Sequence, residues 1–179
     1  SDTQINLSWQ AVPNTLSYRV EQSRNADMSS ATTTTTTATT SQATGLGAGT
    51  RYYFRVTPLQ TSQTGQPDTA NATTTIQPPA GTIATVASLQ SGNTIARGSV
   101  NGGTCSSGTT LQYTVGSDGR NTGTVSITYG TWGAGTTNDV AASQGYKYTF
   151  QSKARCAGPD ATSSEVATNQ DAVVRLGKG

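Results

Sequence analysis

Apolar and polar residues alternate in short runs along the whole chain, and almost every run predicts a β-strand. Ile5, Leu7 and Trp9 alternate with Asn6 and Ser8, which sets three apolar side chains on one face. Val12 and Pro13 end that run, and Tyr18 and Val20 alternate with Arg19 and Glu21 in the next. Ser30 to Ser41 contains six consecutive threonines, Thr32 to Thr37. Their β-branching suits strands but gives a core little, so edge strands with a solvated face are expected there. In Arg51 to Val56, Tyr52, Phe54 and Val56 share a face, and Thr69 to Ile76 closes the first set. Gln77, Pro78, Pro79 and Ala80 make a stiff joint, because proline fixes φ and favours extended chain before it. Beyond it, Thr82–Leu89, Thr94–Val100, the alternating Leu111, Tyr113 and Val115, and the alternating Val125, Ile127 and Tyr129 continue the pattern. Gly145–Arg155 repeats the aromatic signature of the first set, with Tyr148 in the place of Tyr52 and Phe150 in that of Phe54. Ser163–Asn169 closes the second set.

The chain is therefore expected to be all-β, two tandem antiparallel sandwiches of about 80 to 100 residues each. Leu, Ile, Val and Phe together number 25 of 179 residues, which is low for a folded protein. Disorder also needs high net charge, and here it is only +2, so the strand patterning decides for folding. The 11 basic and 9 acidic residues are scattered, which argues against nucleic acid or a polybasic membrane contact as partner. No apolar stretch is long enough to span a bilayer.

The motifs INLSW, YRV and GLGAGTRYYFRVTPL resemble a fibronectin type III domain. That resemblance implies a core tryptophan at Trp9 and a corner tyrosine at Tyr52, its hydroxyl bonded to nearby backbone, with Phe54 beside it in the core. Tyr148 and Phe150 take the same roles in the second domain. That domain has no strand-B tryptophan, and its SVNGGTC ends in Cys105, so it is read as Ig-like. It is also similar to divergent Cys-bearing repeats in surface proteins of small-genome bacteria.

Cys105 and Cys156 are the only cysteines. An even pair in a Thr-, Ser- and Gly-rich chain of secreted appearance reads as a disulfide, with two buried free thiols as the alternative. Under the resemblance the bridge ties strand B to a point just past strand F and offsets part of the missing tryptophan packing. The setting is then extracellular or at the cell surface.

No catalytic, metal or cofactor site is expected. The chain has no histidine, and its carboxylates are spread through turns without an evident acid and base pair. Lys147 and Lys153 alternate with the inward set Tyr148, Phe150 and Ser152, so both face out, away from any isopeptide chemistry. Trp132, in YGTWGAG, falls on the outward side by alternation from Ile127 and Tyr129. It is a candidate sugar or protein contact, unless a bulge at Gly130 returns it to the core.

The ends carry the last expectation. Gln4 to Trp9 read as a second strand with almost nothing before them, while Ala172, Val173, Val174, Arg175 and Leu176 follow a domain that already looks closed. The domains are then 1–77, a sandwich without its own strand A; 78–170, a sandwich with the disulfide; and 171–179, an extra strand completing the next unit. The function this implies is a non-enzymatic structural or adhesive protein. Its partners are identical units joined head to tail, or neighbouring repeats in a longer chain, together with a host-surface protein or glycan. The competing readings are a carbohydrate-binding or spacer module of a larger secreted enzyme and a receptor ectodomain fragment.

Overall fold

A computed structural model describes residues 1–168 and 171–177. The chain forms two compact units, Ser1–Ile76 with Gly158–Thr162, and Gln77–Ala157 with Ser163–Gly179. Among the described residues all regular structure is β, and every strand pair is antiparallel.

The first unit contains β1 (Ile5–Ser8), β2 (Ser17–Ser23), β3 (Thr32–Thr36), β4 (Thr40–Ala43), β5 (Arg51–Leu59) and β6 (Asp68–Thr73). One sheet has the order β3-β2-β5-β6 and the other holds β1 and β4. The threonine run forms the solvated edge strand β3, four of whose five residues are exposed. Buried Ala43, Leu46 and Phe54 form the core, with half-buried Ile5, Leu7 and Tyr52 against them. Trp9 is not at its centre, as the motif implies. It is half-buried, packs edge-on to Tyr18 at 5.4 Å between ring centres, and lines an open cleft of about 540 Å³ with Val56 and Pro58. Its indole Nε1 is buried without a hydrogen-bond partner. The cause is visible at β1: among the described residues no strand lies on its outer edge. Trp9 N–H donates to Thr39 O and Leu46 N–H to Thr3 O, so the peptide groups of Asn6 and Ser8 point away from β4.

The second unit contains β7 (Ala80–Gln90), β8 (Ile95–Thr104), β9 (Thr110–Arg120), β10 (Thr137–Ala141), β11 (Lys147–Ala157), β12 (Val166–Ala167) and β13 (Ala172–Arg175). One sheet has the order β10-β8-β7; in the other, β9 lies on one side of β11 while β12 and β13 follow each other along its other side. Ala96, Val100, Val115, Tyr148 and Phe150 form the core. Gly98 is required there: a Cβ on it would stand 2.3 Å from the ring of Phe150. With no tryptophan on the second strand, the Phe150 ring packs directly against the β8 backbone.

The tail corrects the expectation for residues 171–179. Tyr148 pairs with Val174 and Phe150 with Ala172, and the Ala172 and Val174 side chains pack on the core of their own unit. Ala172–Arg175 therefore continues the closing strand begun by β12, because two residues of β12 cover only the Lys153–Ala154 end of β11. Val173 faces outward, 44% exposed, and Leu176 N–H donates to Tyr146 O. Asn169, Lys178 and Gly179, named in the sequence expectations, lie outside the described residues.

Cys105 and Cys156 form a disulfide, with Cα atoms 5.7 Å apart. Cys156 lies inside β11 and is fully buried, not past the strand as expected.

Two outcomes follow. Deleting residues 171–179 uncovers one side of Tyr148 and Phe150, so the second unit should lose its cooperative melt, followed by near-UV circular dichroism; an unchanged melt would refute the pairing. Replacing both cysteines with serine should lower the second unit's stability by about 4 kcal/mol in the chain-entropy model, measured by denaturant unfolding of the two forms.

Candidate functional site

Both tyrosine corners are built alike. Gly47 N–H donates to the Tyr52 hydroxyl at 2.9 Å, and Ser143 N–H donates to the Tyr148 hydroxyl at 2.6 Å. In each case the donor lies five residues before the tyrosine, so the turn into β5 or β11 is pinned to the strand it feeds. Phe54 and Phe150 follow two residues later, pointing to the same face as their tyrosines, and both are buried.

The charged groups are mostly tied across strands. Glu21 on β2 stands opposite Arg55 on β5 and accepts two hydrogen bonds from its guanidinium, both 2.7 Å. Arg97 and Asp139 form the same two-pronged pair between β8 and β10, both at 2.6 Å. Asp118 accepts from Arg120 and from Ser126 N–H. These contacts hold the Glu21, Asp139 and Asp118 carboxyls below their ordinary ranges, the guanidinium hydrogen bond being the chief cause in each. Such carboxylates are ionised at neutral pH and have no proton to donate. No group of three metal-ligating side chains converges among the described residues.

A different surface forms on the outer face of the β9–β11 sheet. Tyr148, Phe150, Ser152, Ala154 and Cys156 of β11 point inward, so Gln151, Lys153 and Arg155 point outward. Trp132 lies on this face: the Arg155 guanidinium carbon stands 4.4 Å from its ring centre. The Lys153 ammonium stands 4.4 Å over Tyr129, whose hydroxyl donates to Gln151 Oε1 at 3.0 Å. Burial raises the Tyr129 phenol above its ordinary range, so it stays neutral.

Tyr129 and Trp132 are three residues apart, which in a regular strand puts them on opposite faces. They share one because the register slips: Thr128 bridges Ser117, but Gly133 bridges Tyr113. Six residues, Thr128–Gly133, thus oppose five, Tyr113–Ser117, a bulge. The bulge turns both rings outward and does not return Trp132 to the core. Tyr129 and Ile127 consequently lie over Gly116, where a Cβ would come within 2.5 Å of Ile127, and are not the core residues that alternation implied.

Trp132 also stands at the rim of a cleft of about 320 Å³ lined by Thr114, Gly130, Gly133 and Asn138. The disulfide and the corner residues belong to the scaffold, and the tail supports β11; of the sequence-derived candidates, Trp9 lines the open cleft of the first unit and Trp132 that of the second.

No family model matches the chain, and no curated protein sequence does. Among solved structures it is similar to a two-domain fibronectin type III segment from chicken tenascin, at 17% identity and a TM-score of 0.55, over 98% of this chain and 93% of that one. The fold is thus two fibronectin type III-like sandwiches in tandem.

The Glu21 pair carries a pH signature. A carboxyl whose folded pKa lies below its unfolded value gives stability that is complete above the unfolded value, about 4.3 for glutamate, and is lost as pH falls through the folded one. The first unit's melting temperature should therefore drop as pH falls below about 4, and Glu21→Gln should drop less steeply. Parallel acid profiles would show that the pair contributes nothing.

Proposed function

We propose that this chain is a non-enzymatic extracellular structural or adhesive module. The observation that carries the reading is the architecture itself, two tandem fibronectin-like sandwiches, each pinned by a tyrosine corner. Fold alone does not assign function; beside it, the acidic groups Glu21, Asp118 and Asp139 are each taken up by an arginine. The disulfide supports an oxidising compartment. Among the described residues no helix is long and apolar enough to cross a membrane.

A fibre form of this reading is favoured by one feature, the outer edge of β1. An extended segment from a neighbouring unit, laid on Asn6 and Ser8 and capping the Trp9 cleft, would complete that sheet. Ala172–Arg175 is engaged in its own unit, so the segment must be another one.

Screening the purified chain against ester, glycoside and peptide substrates tests the module reading. No turnover above buffer is expected; robust turnover abolished by one carboxylate substitution would replace it with an enzyme.

A further inference from the structure

We propose that the outer face of the β9–β11 sheet binds an anionic polysaccharide, with Arg155 and Trp132 as its central contacts. The inference rests on the adhesive form of the function above and gives it a ligand class.

The two units treat their outward arginines differently. In the first, the outward arginine of β5 faces a glutamate that takes both prongs of its guanidinium, Arg55 on Glu21, with Arg19 3.6 Å from the same carboxylate. In the second, the outward arginine of β11 faces a glutamine: Arg155 lies opposite Gln112 and donates only Nε–H to its Oε1, at 2.9 Å. Arg155 has no carboxylate within 4.0 Å and its two terminal nitrogens have no hydrogen-bond partner among the described residues. The guanidinium carbon lies 4.4 Å over the Trp132 ring centre, a contact that holds the side chain without consuming those N–H groups. A half-buried arginine with its fork free is complementary to a carboxylate or sulfate, which such a fork binds in a two-pronged way.

Charge continues along the strand. Lys153 is paired with Glu165 at 3.2 Å and Asp171 accepts from the Gln151 amide, but Lys147, with Asp118 in its field, and its cross-strand neighbour Arg175 have no ion-pair partner within 4.0 Å among the described residues. From Arg155 to Lys147 is eight residues of β11, about 27 Å of extended chain, a span that fits a linear polymer better than a small ion. Around Trp132 the glycines Gly130, Gly133 and Gly135 face open space where side chains would stand, so a bulky ring can approach the backbone. The face of the Trp132 ring turned away from Arg155 suits the C–H face of a sugar, while the cations meet the acidic groups.

The test uses the intact disulfide-bonded chain, with polygalacturonate as the carboxylate probe, heparin as the sulfate probe, dextran as the neutral one, and single-stranded DNA and anionic vesicles as other polyanions. Binding to at least one anionic glycan, none to dextran, and weakening with salt are expected. The glycan that binds assigns carboxylate or sulfate as the recognised group. Gln112→Glu supplies Arg155 with the partner that Arg55 already has, so it should weaken binding about tenfold or more while leaving the melting temperature unchanged or raised. Arg155→Gln should do the same, and in a Trp9→Phe background the emission of Trp132 should shift on binding. No binding to either glycan, unchanged affinity in Gln112→Glu, or binding to DNA or vesicles alone would overturn the proposal. A failure of that kind would leave the spacer role standing, since only turnover removes it.

Discussion

The register of β11 is the constraint on which the second unit depends. A strand allows each side chain one of two faces, and a slip of one residue exchanges them all. With Phe150 inward against Gly98, Tyr148 must also be inward, where its hydroxyl can reach Ser143 N–H. Cys156, six residues beyond Phe150, is then inward and meets Cys105 at the end of β8. The same choice sends Lys153 and Arg155 outward to the aromatic rings. Corner, core, crosslink and outer face are therefore one decision made four times, which is the consistency between levels that a foldable sequence needs.

This dependence matters because the cores are lean. Several of the most buried positions hold hydroxyls, Ser152 on the core face of β11 and Thr57 and Thr149 on the opposite face of their strands, and these contribute less than leucine or phenylalanine would. Ser152 is satisfied by accepting from Thr85 at 2.8 Å across the sheets, but the Thr57 and Thr149 hydroxyls are buried without partners. An unmet hydroxyl costs about 1–3 kcal/mol. A loop-closing crosslink of about 4 kcal/mol offsets such losses in the second unit. The first unit has no crosslink, and instead carries a two-pronged Glu21–Arg55 pair beside its corner.

What could be read in the sequence was whatever obeyed simple alternation. β2, β5 and β11 were legible because large aromatic and branched residues recur at every second position, and the tyrosine corners followed from the motifs they carry. β10 was not, since its inward positions are Asn138 and Val140. Asn138 points in because its amide donates to Val115 O at 2.8 Å, a partner no local pattern announces. The face of Tyr129 and Trp132 was hidden by a one-residue slip between two isolated bridges. Gly116 was the available signal, as a strand position left without a side chain marks the close approach of something bulky. The tail was misplaced for a related reason. Ser163–Asn169 has the length of a closing strand, but among its described residues only Val166 and Ala167 are in strand register with β11, and Ala172–Arg175 covers the Lys147–Phe150 end.

The outer face poses an electrostatic question that the core does not. An arginine beside a carboxylate is cheap to hold and inert, because each ion removes the other's field. An arginine stacked on an indole keeps its charge, gaining about 0.5–1 kcal/mol at an exposed site. Both solutions fix the side chain equally well, so folding alone does not require the second. Choosing glutamine over glutamate opposite Arg155 therefore leaves the fold unchanged and the field intact. The first unit set a carboxylate, Glu21, against Arg55 with the same strand geometry available, Arg19 sharing it at 3.6 Å. The difference between the two sheets is one of exposed potential, and potential acts on what approaches from outside.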